Sequence, residues 1–581
     1  IANNGMLMTT TFNTNSICGP SRAAILTGKY SHISGFFKNE KGGDFDGSQM
    51  TFPKLFQESG YQTAVIGKWH LGTSPTGFDY SKVMINWGGQ GTYFNPVFLE
   101  NGRDTIVEKK RHSTAQVAHD AMKWLGEGRD KDKPFMLMYQ FKAPHRPWES
   151  AEEFKDLFTD GDLPHPTNFN DDYKGRKAAS EQWMEIENHM NRRDLKVAPP
   201  EGLSKKELNS YYSFGNKGDF WTPNDTLQGA DLKNWKYQAY IKDYLRCVAG
   251  VDKAVGKMLD YLKSNDLLDN TIIIYTSDQG FYLGEHGWFD KRWMYEESFK
   301  MPFMIRYPEL IKPKSVNSDL LLNIDFAPTL LELAGIKTTQ KMQGTSFVPV
   351  LEGNTPKDWQ DAMYYHYYEF PFWHHVQPHY GIRTQKYTLA HFYYNIDVWE
   401  LYDLEKDPNQ MNNIYNDPNY TSTITELKAK LKNLMIKYEN DKSLVDFRKI
   451  TDTDFGRIVD NIKDEESVQE ILNKKLLLMN MICSLGVYTG IFTCETPIAV
   501  EVQQDFMEHV QTWGLNYGTQ EEYDFRMGLF AKKDAEIKEI NASQDSFVLA
   551  HNMFSTMTEF EAKRMNGYKR PENLEHENVT E

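Results

Sequence analysis

The chain has 581 residues, a length that predicts more than one domain. Hydrophobic residues make up 40% and charged residues 25%, which are values of a folded globular protein. The formal net charge of -16 argues against a nucleic acid as partner, because neutralising phosphates requires a basic surface. A site for an anionic substrate must therefore concentrate its positive charge locally.

A cysteine precedes the first predicted helix. Residues 18–22 read Cys-Gly-Pro-Ser-Arg and run into an Ala/Leu-rich helix start. A helix N-terminus has unpaired N–H groups and is the positive end of the helix dipole, and both attract anions. A nucleophile at this position therefore suits an anionic ester as substrate. The run resembles the C-x-P-S-R-x-x-x-x-T-G signature of type I sulfatases. The resemblance implies that Cys18 is converted to formylglycine, whose hydrated aldehyde is the nucleophile; the alternative is a buried structural cysteine.

Residues 1–350 alternate strand-like and helix-like segments. Near-continuous apolar runs predict strands buried on both faces, and the alternation predicts an α/β sheet with helices on both sides. Ligands of such sheets bind outside the carboxyl ends of the strands. The sulfatase resemblance implies an alkaline-phosphatase-like mixed sheet flanked by helices. The predicted strands are 62–67, 134–141 and 271–277, and the predicted helices are 113–127 and 237–264.

Residues 351–445 have a different pattern, with aromatic clusters and shorter strand-like segments. This pattern predicts a smaller antiparallel sheet packed on the first domain, closed by a helix. The predicted strands are 380–384, 386–389 and 400–404, and the predicted helix is 421–440.

Residues 446–500 begin as a charged helical stretch and lead into an apolar run from Leu476 to Cys494. Two preceding lysines and a small-residue exit resemble a signal peptide. The alternatives are a transmembrane helix and a buried helix. Gly486, Gly490 and several polar residues weaken the transmembrane interpretation, so no stable membrane span is expected.

Residues 501–570 predict a separate helical module. The side chains of one helix form a stripe along one face. The pattern resembles the inhibitory propeptide of papain-like cysteine proteases, which implies such a protease as a partner. The alternative is an amphipathic helical hairpin without that function. The stripe consists of Glu522, Arg526, Phe530, Ile537 and Asn541.

The sulfatase resemblance covers roughly residues 1–440 and implies catalytic roles for several residues. Lys68 corresponds to the lysine that holds the aldehyde hydrate and the sulfate, and His70 to the histidine that exchanges a proton with the hydrate. His145 corresponds to the histidine that protonates the leaving alcohol, and Lys291 to a lysine that contacts sulfate. Arg22 adds positive charge beside them. A sulfate ester needs this combination of charge neutralisation, nucleophile and proton donor.

Asp278 and Gln279 resemble the metal-binding turn of the same family. Their oxygen ligands favour Ca²⁺ or Mg²⁺ over zinc. In that family the first strand ends in an Asp-Asp pair that supplies two further ligands, and that strand would precede Ile1. We read the sequence as N-terminally truncated, and we therefore expect weak cation binding and a sheet with open edges.

The loops at 87–96, 281–291 and 373–384 look most like those of bacterial-type sulfatases that act on N-acetylglucosamine-6-sulfate in mucin and heparan chains. The resemblance implies that His375, His379 and Arg383 lie near the sugar. The alternative is a packed aromatic seam between the two sheets.

Three functions follow from these motifs. The first is an extracytoplasmic hydrolase of sulfated carbohydrates, located in a secreted, periplasmic or lysosomal compartment. The second is a non-catalytic sulfatase fold joined to a protease-inhibitory propeptide. The third is a related phosphatase or phosphonate hydrolase, against which the Cys18 motif and its spacing to Arg22 argue.

Overall fold

The computed structural model describes most of the first 453 residues and part of the C-terminal region. The described residues are 1–39, 44–109, 111–190, 194–196, 227–371, 374–453, 502, 505–506, 509 and 520–543. Two compact units are Ile1–Val197 with Phe214–Asn461, and Ala198–Ser213 with Ile462–Glu581.

The described strands all belong to the first unit. In chain order they are β1 Met6–Phe12, β2 Gln62–Lys68, β3 Tyr80–Met84, β4 Val97–Glu100, β5 Asp104–Val107, β6 Phe135–Gln140, β7 Ile273–Thr276, β8 Tyr282–Leu283, β9 Phe289–Asp290, β10 Lys300–Arg306, β11 Ser315–Asn317, β12 Leu321–Leu322, β13 Ala362–Tyr367, β14 His379–Thr384, β15 Tyr387–Phe392 and β16 Val398–Asp403.

The described α-helices lie in both units. In chain order they are α1 Cys18–Thr27, α2 Ser31–Ser34, α3 Phe52–Glu58, α4 Asn86–Gly89, α5 Ser113–Lys123, α6 Lys177–Glu181, α7 Gly229–Ser264, α8 Glu296–Phe299, α9 Phe326–Leu333, α10 Val348–Leu351, α11 Thr421–Lys437, α12 Leu444–Asp452 and α13 Gln520–Ser543.

The α/β part of the first unit contains two mixed sheets. One has the order β11-β1-β10-β7 with β12 also on β1, where β10 is antiparallel to β1 and β7. The other has the order β5-β4-β3-β2-β6, where β2 is parallel to β3 and β6. The strands predicted from the apolar runs are confirmed as β2, β6 and β7, and the predicted helices as α5 and α7.

The strands β6 and β7 are outer strands of their sheets, each paired on one side in the described structure. Alternate side chains of β6 point into two different clusters: Phe135, Leu137 and Tyr139 enter one, and Met136 and Met138 the other. Every residue of β6 is nevertheless half-buried. Both faces of the strand are covered, so the exposure arises along its edge.

The smaller sheet is antiparallel, with the order β13-β14-β15-β16. Gly381 of β14 is a glycine because a Cβ atom there would lie 2.2 Å from the carbonyl oxygen of Leu389. The helix α11 buries Leu427 and Leu431. The predicted antiparallel sheet is confirmed, and the structure adds β13 as a fourth strand, because an unbroken aromatic run gives no alternating pattern to identify it.

The apolar run at 476–494 lies outside the described residues, so its interpretation stays a prediction. The described part of 501–570 is largely helical and belongs to the second unit. Its helix α13 buries Phe530 and Ile537, and the rings of Phe506 and Phe530 lie 5.5 Å apart. The propeptide interpretation stays a prediction. Among the helices that the structure describes, none is long and apolar enough to cross a membrane.

Candidate active site

Cys18 is the first residue of α1, as the motif predicts. The preceding residue, Ile17, has an extended conformation, and the helix ends at Gly28, whose φ of 65° is left-handed. Cys18 is 1% exposed. Its side chain therefore lies at the positive end of a helix, in a position shielded from bulk water.

Arg22 joins the helix α1 to three other segments. Its Nε lies 2.8 Å from Asp278 Oδ2, and its Nη1 donates to the Lys68 carbonyl at 2.8 Å and to Gln140 Oε1 at 3.0 Å. Burial raises the pKa of Asp278, but Arg22, Lys68 and Lys291 outweigh this effect and lower it to about 2. Arg22 thus fixes the ends of β2 and β6 and the loop after β7 around α1.

Two buried lysines act electrostatically on Cys18. Lys68 ends β2 and Lys291 follows β9, with 3% and 2% exposed, and Lys291 Nζ lies 3.2 Å from Asp290 Oδ1. Burial raises the pKa of Cys18, but Lys68 and Lys291 outweigh it and the pKa is lowered. Burial lowers the pKa of Lys68 to about 8. The site is therefore strongly cationic within an acidic protein.

His70 and His145 belong to the same electrostatic cluster. Burial, followed by the charge of Lys68, holds the pKa of each imidazole well below its usual value. His145 Nδ1 lies 3.0 Å from the carbonyl oxygen of Arg146, which accepts a hydrogen bond, so Nε2 is the nitrogen free to exchange a proton. Both rings are neutral near pH 7 and can accept protons.

Asp278 and Gln279 provide oxygen atoms suited to a hard cation. Gln279 Oε1 is buried and has no hydrogen-bond partner in the described structure, as expected of an atom that binds an ion. Calcium takes about six to eight oxygen ligands. In the part of the chain that the structure describes, no cluster of three or more His, Cys, Asp or Glu residues could hold a metal. Asp278 and Gln279 therefore fit a cation by the chemistry of their oxygen atoms, but they are an incomplete set of ligands.

A buried network beside the site was not predicted. Asp290 Oδ2 lies 3.3 Å from Arg146 Nη1 and 3.1 Å from His374 Nε2, and Arg146 Nη2 lies 2.6 Å from Asp194 Oδ2. Because Asp290 also pairs with Lys291, the network holds that lysine in place. No local pattern identifies it, since its members come from four separate segments.

Asn39 is a second residue that the sequence analysis missed. Its side-chain nitrogen donates to Cys18 Sγ at 3.1 Å, and its backbone N–H donates to Glu369 Oε2 at 2.7 Å. The signal available for Glu369 was a lone carboxylate after an aromatic run, which indicates a buried, paired charge. Asn39 had no comparable signal.

The structure does not bring His375, His379 and Arg383 into contact with the catalytic residues. His375 stacks on the ring of Trp183 at 4.6 Å, and His379 is fully buried, with its Nε2 accepting from the Met294 backbone at 3.0 Å. Arg383 pairs with Glu296 at 3.0 Å. These contacts resemble the alternative of a packed aromatic seam, and the contact with a sugar stays a prediction.

Family profiles match most of the first unit. The profile described as Sulfatase matches residues 1–336, and that of the N-sulphoglucosamine sulphohydrolase C-terminal region matches residues 284–437. The chain is 47% identical over 460 residues to an N-acetylglucosamine-6-O-sulfatase of Bacteroides thetaiotaomicron, covering 76% of this chain and 82% of the relative.

Solved structures agree with these matches. A protein in complex with its substrate D-glucosamine-2-N,6-O-disulfate is 45% identical, with a TM-score of 0.72, and the alignment covers 76% of this chain and 92% of that one. The phosphonate monoester hydrolase of Agrobacterium radiobacter is 20% identical, with a TM-score of 0.56 and coverage of 75% and 90%. The second likeness concerns the fold alone.

Proposed function

The chain belongs to the sulfatase family, and we propose that its substrate is the 6-sulfate ester of N-acetylglucosamine units in glycosaminoglycan or mucin chains. It is a sulfuric ester hydrolase. The observation that carries the proposal is the placement of Cys18 at a helix N-terminus, where the charges of the buried lysines Lys68 and Lys291 lower its pKa. The relative named N-acetylglucosamine-6-O-sulfatase supports the N-acetylated sugar, and the complex with D-glucosamine-2-N,6-O-disulfate supports a glucosamine that carries a 6-sulfate.

Cys18 is the proposed nucleophile residue. Sulfatases generally use formylglycine and a divalent metal. We propose that Cys18 is converted to formylglycine, whose hydrate then supplies the attacking hydroxyl. The position at the start of α1 supports this role, because the helix dipole and the buried lysines favour negative charge at that atom.

The five remaining catalytic residues have different proposed roles. Lys68 and Lys291 neutralise the nonbridging oxygens of the sulfate, where the low dielectric strengthens their effect. His70 exchanges a proton with the Cys18 side chain. His145 gives a proton from Nε2 to the leaving sugar oxygen after Nε2 has itself been protonated, because in the neutral ring the proton is on Nδ1, which donates to the Arg146 carbonyl. Arg22 holds the arrangement together and adds charge.

A divalent cation, Ca²⁺ or Mg²⁺, would be held by Asp278 and Gln279. When bound, it would add positive charge next to the sulfate. The orphaned oxygen of Gln279 and the depressed pKa of Asp278 support these two residues as ligands. Two protein ligands predict weak binding.

The partners and location follow from the substrate. A sulfated carbohydrate is the proposed partner, and an extracytoplasmic compartment is the proposed location because sulfated polysaccharides are found there. The phosphonate hydrolase alternative is supported by likeness of fold alone. The Cys18 motif favours sulfate.

The function is tested by incubating the full chain, produced with a formylglycine-generating enzyme, with N-acetylglucosamine-6-sulfate, its 3-sulfate isomer, an aryl sulfate and a phosphonate monoester. We expect sulfate release from the 6-sulfate to be fastest. Cys18→Ala should abolish it, whereas Cys247→Ala, at another buried cysteine, should not. Faster hydrolysis of the phosphonate would contradict the proposal.

A further inference from the structure

Both the oxygen and the nitrogen of the Asn39 side-chain amide form hydrogen bonds, and one of these bonds is to the nucleophile residue. Its Oδ1 accepts from the Gly19 backbone N–H at 3.2 Å, and its Nδ2 donates to Cys18 Sγ at 3.1 Å. A backbone N–H cannot accept a hydrogen bond, so the atom facing Gly19 is the oxygen and the atom facing Cys18 is the donor. The sulfur of Cys18 stands where formylglycine would carry its side-chain oxygen.

The close approach of Asn39 depends on Gly19. A Cβ atom at position 19 would lie 2.4 Å from Asn39 Oδ1 and 2.4 Å from the Phe36 ring. Any other residue at position 19 would therefore require Asn39, Phe36 or the helix start to move. The undefined position of the C-x-P-S-R motif thus has a steric requirement in this chain.

A buried carboxylate holds Asn39 in place. Glu369 is fully buried, two residues after the end of β13 in the smaller sheet. One of its oxygens accepts from the Asn39 backbone at 2.7 Å, and the other lies 3.1 Å from Arg292 Nη1. Since Arg292 follows Lys291, Glu369 joins the residue that contacts Cys18 to the loop that carries a sulfate-binding lysine.

We propose that Asn39 is a positioning residue that orients the reactive side chain at position 18 by hydrogen bonding to its heteroatom, and that Glu369 positions Asn39. The inference rests on the proposed sulfatase function and deepens it. The physical basis is orientation, because a nucleophile must lie in line with the leaving oxygen to react. The smaller sheet therefore takes part in arranging the nucleophile.

The decisive variant is Asn39→Asp. It has the same size and keeps an oxygen for the Gly19 N–H, but it replaces the donor to position 18 by an acceptor. We expect kcat for N-acetylglucosamine-6-sulfate to fall about 10- to 100-fold while KM stays within about twofold. The kcat of Asn39→Ala should fall by a similar factor. Glu369→Gln keeps an acceptor for the Asn39 backbone, so its kcat should fall less than that of Glu369→Ala.

Three further measurements separate positioning from a general structural effect. The converted fraction of residue 18, measured by mass spectrometry, should equal that of the parent. The affinity for inorganic sulfate, measured by calorimetry on unconverted protein, should not change. Asn413→Ala is the matched control: Asn413 is half-buried and bonds the Leu401 and Trp399 backbones at 3.0 and 3.2 Å, so its loss should leave kcat unchanged.

The outcomes decide between the alternatives. A kcat equal to the parent in Asn39→Asp overturns the inference, as does a rise in KM with a matching loss of sulfate affinity, which would assign Asn39 to substrate binding. If Asn39→Ala does not fold, Asn39→Asp decides. A parent that releases no sulfate contradicts the proposed function instead. In that case the alkylation rate of unconverted Cys18 is compared: a slower rate in Asn39→Asp supports the inference, and an equal rate overturns it.

Discussion

Arg22 and Asp278 form an ion pair, with 2.8 Å between Arg22 Nε and Asp278 Oδ2. The pair connects the helix that carries the nucleophile to the loop that carries the proposed cation ligands. It also balances the charge of a buried carboxylate, whose pKa is lowered to about 2. Asp278 is therefore ionised at any working pH and available to a cation.

Arg22→Lys should lower kcat/KM by about 100-fold, because a lysine ammonium cannot reproduce three hydrogen bonds made from one rigid guanidinium plane. Steady-state kinetics on N-acetylglucosamine-6-sulfate checks this. Arg306→Lys is the matched control, since Arg306 also bonds a carbonyl and a carboxylate, those of Leu268 and Asp269, away from the site. Equal losses in both variants would show that the effect is general destabilisation.

Calcium binding to the chain should be weak and should depend on two residues. Gln279→Glu adds a charged ligand at the position of an unpaired oxygen and should tighten binding, whereas Asp278→Asn should weaken it. Isothermal titration calorimetry measures both. Tight binding by the unmodified chain, insensitive to Asp278→Asn, would place the ion elsewhere. Asp278→Ala should also lower turnover by orders of magnitude, because the sulfate charge is then less balanced.

His145→Ala should impair hydrolysis of sulfated sugars far more than that of aryl sulfates. A sugar alkoxide needs a proton as it leaves, whereas a phenoxide needs little assistance, so the general acid contributes about 100-fold or more for the sugar. The ratio of kcat/KM for the two substrates gives the result. His189→Ala, at a half-exposed histidine beside Glu185, serves as the control. Equal losses on both substrates would assign His145 another role.

Stability should decrease between pH 4 and pH 6 through Asp325. Burial raises the pKa of Asp325 to about 6, above its usual 3.8, despite hydrogen bonds from the Thr345 and Leu322 backbones. Because the pKa of Asp325 is raised in the folded state, the contribution of this residue to the free energy of unfolding is fully present below pH 3.8 and is lost as pH rises through 6. The loss is about 3 kcal/mol. Urea unfolding at several pH values should show that the free energy of unfolding decreases less for Asp325→Asn than for the parent between pH 4 and pH 6. An identical pH dependence of the two free energies would refute the prediction.

The sequence predicted the parts of the site that lie in local motifs. Cys18, Lys68 and Lys291 lie together as their motifs indicate, because each motif sits where a strand or helix begins or ends. Asn39 and Glu369 could not be found this way. Their contact joins residues 330 positions apart, and neither segment has a periodicity that records its partner.

In the fold, too, the sequence predicted the features that local composition records and missed those that depend on contacts between distant segments. Apolar runs identified β2, β6 and β7, since burial on both faces leaves a continuous signal. The pairing of β7 with β10 and the separation into two sheets depend on contacts between distant segments, which local composition does not record. The predicted contact of His379 with a sugar illustrates a further limit, because a histidine in a sugar site and one in an aromatic seam have the same local sequence.

The open edges of β6 and β7 have a consequence for handling the protein. Neither strand contains a proline or a charged residue, the usual means by which edge strands avoid pairing with other chains. Among the described residues no strand pairs with the outer edge of either strand, so the backbone groups there are templates for strands of neighbouring molecules. Self-association should rise with concentration and begin at these edges, so colloidal behaviour, rather than the free energy of unfolding, will set the shelf life of this chain in solution.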